Sequence, residues 1–185
     1  ALNSAAVVGT SVDSAAKIQS LVDAYNAILA SADGADNVAN AANPSQAQYA
    51  AIGVSGVDSA AKASLLGDVI DTKANAAVDS VAEVQALADA VAAVMTGAAG
   101  GTAPTLAQLQ ALGVSGVSAA NLAAVQAAIA ATADDGSGVD TLGELQTVAN
   151  AATGAVAAIN TISAAAQANN ASASTPTLAD YTAAG

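Results

Sequence analysis

The chain repeats itself, and a repeat restricts the fold more than composition can. Each unit has to take the same local structure and find the same kind of neighbour. The pentapeptide GVSGV stands at Gly53–Val57 and again at Gly113–Val117. Around it, PSQAQYAAIGVSGVDSAA from Pro44 matches PTLAQLQALGVSGVSAAN from Pro104. The final stretch, PTLADYTAAG from Pro176, restarts the phrase and stops at Gly185. All three prolines of the chain fall at this one position, and Tyr49 and Tyr181 share another, where the middle unit has Leu109. A second phrase follows the first. DSVAEVQALADAVAAV from Asp79 matches DTLGELQTVANAATGAV from Asp140, and DSAAKIQSLVDAYNAI from Asp13 is its third occurrence. The chain therefore divides into a partial unit at 1–43, whole units at 44–103 and 104–175, and the first helix of a further unit at 176–185.

Each whole unit reads as three helices. Ser45, Thr105 and Thr177 are N-cap candidates for the first, with Gln48, Gln108 and Asp180 three residues on, which is the capping-box spacing. Gly53 and Gly113 suit the left-handed position that ends that helix. Asp58 or Ser118 is expected to cap the second helix. Leu65, Leu66, Val69 and Ile70 in one unit, and Leu122, Val125 and Ile129 in the other, recur at helical spacing along it. The third helix starts at Ser80 or Thr141, with Glu83 or Glu144 closing the capping box. These are the only two glutamates of the chain, so helix-end chemistry accounts for a pair that would otherwise suggest a general acid and base. The expected fold class is all-α: tandem three-helix-bundle repeats of roughly 60–72 residues forming an elongated array.

What the chain lacks limits its chemistry. There is no His, Cys, Trp, Phe or Arg, and three lysines face fifteen acids for a net charge of −12. A nucleic-acid groove needs basic residues and, for single strands, aromatic ones, so nucleic acid is excluded as a partner. Anionic membrane surfaces are disfavoured for the same reason. Without imidazole or thiolate there is no ordinary zinc site and no triad base for the many Ser and Thr residues, so no enzyme is expected. The apolar runs are mostly alanine and broken by Asn, Gln and Asp, so no segment reads as a membrane span and no insertion is expected. No signal peptide is legible at Ala1 and there is no initiating Met, which leads us to expect a processed product or an excised piece. Absence of cysteine suits a chain exported unfolded.

Three features invite a functional reading. GVSGV resembles a phosphate loop, but helix rather than strand precedes it and no lysine follows directly, so a helix–helix turn is expected. DDGSGVD offers closely spaced oxygen donors, and Asp134, Asp135 and Asp140 are the candidate calcium ligands, without the EF-hand spacing or its closing glutamate. The alternative is an acidic surface loop, since the other unit reads DTKANAAVD there. A weaker calcium site is conceivable near Asp33 and Asp36. Tyr49 and Tyr181 are expected in the core of the first helix with their hydroxyls reaching the surface. No regular Thr/Ala ladder supports ice binding.

The phrase P-T-L-A-x-(Y/L)-x-x-x-G-V-S-G-V, followed by D-(S/T)-x-x-E-(L/V)-Q-x-(L/V), resembles the alanine-rich repeats of very large secreted bacterial adhesin-like and biofilm-matrix proteins. The resemblance covers essentially the whole chain. It implies a non-enzymatic, extracellular cell-surface role as stalk, extender or filament subunit, with adhesion placed in other modules. A looser likeness, through the turn after the first helix, is to the three-helix albumin-binding modules of surface proteins, which are shorter and richer in lysine. The alternatives are a ligand-binding three-helix module for a host protein or glycan, and an S-layer-type lattice protein. Expected partners are neighbouring repeats or further copies of the chain joined head to tail, because Gly185 followed by Ala1 reads as a nearly complete unit.

Overall fold

A computed structural model describes residue 9 and residues 12–34, 43–133, 135–168 and 175–185. Among these the protein is all-helical, with no strand beyond an isolated bridge between Asp33 and Ala74. Eight α-helices are described: α1 Ala15–Ser31, α2 Gln46–Ala51, α3 Ala60–Asp71, α4 Val81–Ala98, α5 Leu106–Ala111, α6 Leu122–Ala130, α7 Leu142–Ala168 and α8 Leu178–Ala183. The order of a six-residue helix, a middle one and a long one occurs in α2–α3–α4 and again in α5–α6–α7.

The short helices start where the sequence places them. Ser45, Thr105 and Thr177 each accept the N–H three residues on, and the side chain at that third position accepts the cap residue's own N–H in return. Ser80 and Glu83 do the same for α4. At α7 the Glu144 N–H reaches Thr141 Oγ1 at 3.2 Å, and that hydroxyl donates to the Glu144 carboxylate at 2.9 Å. Each reciprocal pair satisfies donors that a helix start leaves without partners, and losing the cap oxygen costs about 1 kcal/mol.

The short helices also end alike. Gly53 and Gly113 both have φ of 89°, a conformation that costs a residue with a Cβ but not glycine. Val54 N–H bonds back to Tyr49 O at 3.0 Å and Val114 N–H to Leu109 O at 3.0 Å, the six-to-one bond of a Schellman turn. Its usual apolar partner pair is present, since Tyr49 with Val54 and Leu109 with Val114 are all buried.

The second helices depart from expectation. α3 is capped by Ser59, whose hydroxyl accepts from Lys62 N, while Asp58 pairs with Lys62 Nζ at 2.7 Å. Ser118 does not cap α6 either. That helix begins three residues later, and the Ser118 N–H is taken by Asn121 Oδ1 at 2.7 Å. The pentapeptide DSAAK, at Asp13–Lys17 and Asp58–Lys62, carried the missed signal. In both places the serine caps the helix and the aspartate pairs with the lysine four residues on.

One connected cluster of buried side chains runs from Ala24 in α1 to Ala152 in α7. Its packing crosses the sequence units. α2 and α5 pack chiefly on the long helix before them, α1 and α4 respectively, and α8 packs likewise on α7. α4 lies against α3 before it and against α5 and α6 after it. Small residues allow the close approaches: a Cβ at Gly97 would lie 2.8 Å from Pro104 Cδ, and one at Gly67 would collide with the Asn43 side chain.

Candidate functional site: the joints along the chain

GVSGV is a corner whose first three N–H groups are bonded within the protein in both copies. Gln85 Oε1 accepts the Ser55 N–H at 2.8 Å and Gln85 Nε2 donates to Ser55 O at 3.2 Å. Gln146 grips Ser115 in the same way, at 2.8 Å and 3.2 Å. A second bond from the same amide, to Asp89 at 2.7 Å or Asn150 at 2.8 Å, fixes which way each glutamine faces. The Ser55 and Ser115 N–H groups are therefore spent on tying each turn to the long helix of its own unit. The expected turn is found, and the glutamine that closes it is a role the repeat alignment contained but spacing alone did not reveal.

A different set of contacts ties one sequence unit to the next. Tyr25 of α1 donates its hydroxyl to Asp79 O, just ahead of α4. Lys73 Nζ reaches Ala111 O at 2.8 Å, supplying a donor to a carbonyl that the end of α5 leaves open. Partial burial pulls the Lys73 ammonium below the usual lysine range. Asp68, buried in α3, accepts from Leu142 N at 3.0 Å at the start of α7 and from Asn43 Nδ2 at 3.0 Å. The loop ahead of α7 is seated on the preceding unit, where Gly136 leaves no room for a Cβ against Met95 Sδ.

The acidic loop divides its carboxylates among local partners. Asp134 lies outside the described residues, as does Asp36. Asp135 accepts the Ser137 N–H at 3.0 Å, and that bond holds it below the usual carboxylate range. Asp140 is raised, first by burial and then by the hydrogen bond and charge of Glu144. Glu144 is itself lowered by the Thr141 hydroxyl. Among the described residues no three carboxylates come together as a metal cluster would.

The tyrosines differ from expectation and from each other. Tyr49 is fully buried, hydroxyl included, and that oxygen has no hydrogen-bond partner. Burial and the Asp68 charge raise it well above the ordinary 10.0 of a tyrosine. Tyr181, at the equivalent position of α8, is 54% exposed. Beside α2, an open groove of about 430 Å³ runs from Asn43–Ala47 to Ala60–Ser64, lined chiefly by small side chains.

Two helices reach the length and hydropathy of a membrane span, contrary to the reading of the sequence. They are α4, with mean hydropathy 1.3, and α7, with 1.2. Half of α4 is buried within the protein, whereas α7 is mostly uncovered. No family model, curated protein or solved structure matches the chain.

Proposed function

We propose that the chain is a structural segment of an extracellular bacterial surface protein, a stalk, extender or filament subunit built from tandem three-helix units. What carries the reading is the division of labour among hydrogen bonds. One set, the capping boxes of the short helices and the glutamine grip on GVSGV, is built alike in both whole units. A second set joins 1–43 to 44–103 through Tyr25 and Asp68, and 44–103 to 104–175 through Lys73 and Asp68. A chain that invests its few long polar side chains in joints is organised to transmit position along itself. In this reading the protein is non-enzymatic, needs no cofactor, and keeps α4 and α7 within the array rather than in a membrane.

Insertion of a further 44–103 segment between Ala103 and Pro104 tests this. Each added segment lengthens the particle by one constant increment in small-angle X-ray scattering, with helix content per residue unchanged. A particle that grows equally in all directions, or a native chain with a compact profile, sinks the reading.

A further inference from the structure

Met95 carries the only sulfur of the chain, which also has no Cys, His or Trp. A two-electron oxidant such as a hydroperoxide therefore has one side chain to act on. The position itself asks only for an apolar side chain. Leu29 stands at the same place in the phrase that starts at Asp13, and it too packs against the core.

The seat around that sulfur is tight. A Cβ built on Gly136 would lie 2.5 Å from Met95 Sδ, 3.8 Å from Met95 Cε and 3.9 Å from Ala61 Cβ. The thioether of α4 is thus pressed against the backbone of the 135–140 loop, with α3 alongside. Val139 is the one buried side chain of that loop. The loop's own hydrogen bonds are local, from Ser137 N–H to Asp135, from Gly136 N–H to Ala133 O and from Val139 N–H to Gly136 O. Only past the loop does Leu142 N–H reach Asp68 in α3. The Met95 contact is therefore a main part of what seats this segment on the unit before it. Met95 is 9% exposed, while Val91 and Val94 of the same helix are at 1% and 0%. It lies at the rim of the core, where a small uncharged oxidant reaches it without unfolding the helices.

We propose that Met95 is a modification site at which a hydroperoxide, by converting the thioether to its sulfoxide, unseats the 135–140 loop from α4. A sulfur lone pair attacks the terminal peroxide oxygen and the O–O bond breaks. The S–O bond forms, and the proton of the attacked oxygen leaves with the departing one as water or an alcohol. Sulfur loses two electrons and the peroxide gains them. The added oxygen is a strong acceptor on a side chain that had been apolar. The Gly136 N–H is already bonded to Ala133 O, so the backbone facing the sulfur has no donor to give it. An acceptor held unpaired against buried backbone is unfavourable, and lifting the loop into water relieves it. Sulfoxide reductases return the thioether, so the loop can be seated again. The contact lies between 44–103 and 104–175 whether or not the chain serves as a stalk.

Hydrogen peroxide is the probe, applied to the folded native chain. The chain takes up one oxygen atom, placed at Met95 by peptide mapping, and keeps its helix content by circular dichroism. The Gly136, Val139 and Leu142 amides then exchange roughly tenfold faster, while the Ser55 amide keeps its rate. Sulfoxide reductases acting on both epimers restore the slow exchange. Met95→Leu, the side chain already used in α1, keeps slow exchange through the same treatment. Where that variant fails to fold, restoration of the native chain by the reductases makes the same comparison. Uptake of oxygen without faster exchange at these amides overturns the proposal. So does uptake only after urea unfolds the chain, loss of all helices on oxidation, or a folded Met95→Leu chain that responds to peroxide as the native one does.

Discussion

Tyr49 concentrates the cost of polarity in this core. Its hydroxyl is buried without a partner, beside a carboxylate already engaged by Asn43 and Leu142. Burying a hydroxyl unpaired costs on the order of 1–3 kcal/mol, whereas removing it loses no bond. Tyr49→Phe is therefore expected to raise the urea midpoint or leave it unchanged at pH ~7, and a loss above 1 kcal/mol would disprove the assignment. The pH dependence follows from the same burial. Tyr49 is raised in the folded state, so the native chain holds that proton more tightly than the unfolded one. The associated stability is full below the ordinary tyrosine value of about 10 and falls as pH climbs through and above it. The gap between Tyr49→Phe and the native chain should thus widen from pH about 9 to pH about 11, as read in urea titrations at each pH.

Elements in this protein are started locally and held at a distance. Gln146 makes two bonds to the Ser115 backbone across 31 positions of sequence. Gln146→Ala should cost about 1 kcal/mol and speed hydrogen exchange at the Ser115 amide, with α5 and α7 still formed. Asp68 does more, since two donors from separate segments converge on it at a buried position. Asp68→Ala leaves the Leu142 N–H unpaired and the Asn43 amide with only its bond to Ser64 O, for a loss of about 2 kcal/mol in chemical denaturation. The Tyr49 charge effect disappears with it, so the alkaline loss of stability should become shallower in that variant. The helix starts at Ser45, Ser80, Thr105, Thr141 and Thr177 were legible in the sequence because donor and acceptor lie within one turn. Asp58 and Ser118 misled because an aspartate or serine beside a helix has two uses. Pairing with Lys62 won at Asp58, and a local turn closed on Asn121 won at Ser118.

At the scale of the molecule, one connected core joins units that the sequence separates. Leu65 lies in α3, fully buried in that cluster. Leu65→Ala is expected to cost about 2–5 kcal/mol, the range for truncating a buried leucine. If the core is shared, hydrogen-exchange protection should fall in α6 and the first half of α7 as well as in α3 and α4, with a single unfolding transition. Loss confined to 44–98 would mean that the units fold independently. The repeat signalled how many units to expect. It did not signal that α2 and α5 lie mainly on the helix before them, because adjacency in sequence and adjacency in space coincide only where a connection is short and nothing larger competes.

Tyr49 and Tyr181 mark the boundary between what the chain's letters settle and what its folding settles. Both sit four residues after a Ser or Thr cap and four before a left-handed glycine, and both helices form as that grammar requires. That much the sequence by itself determined, because caps, turns and helical spacing are satisfied within a few residues. Only the tertiary structure decided that one ring is 0% exposed and the other 54%. Burial depends on what other segments bring to a position: α2 packs on α1 and Tyr49 lies inside the shared core, within reach of the Asp68 charge, whereas Tyr181 lies outside that core. The same reason explains GVSGV: its glycines dictate a corner, but Gln85 and Gln146, reaching in from α4 and α7, fasten that corner to the long helices.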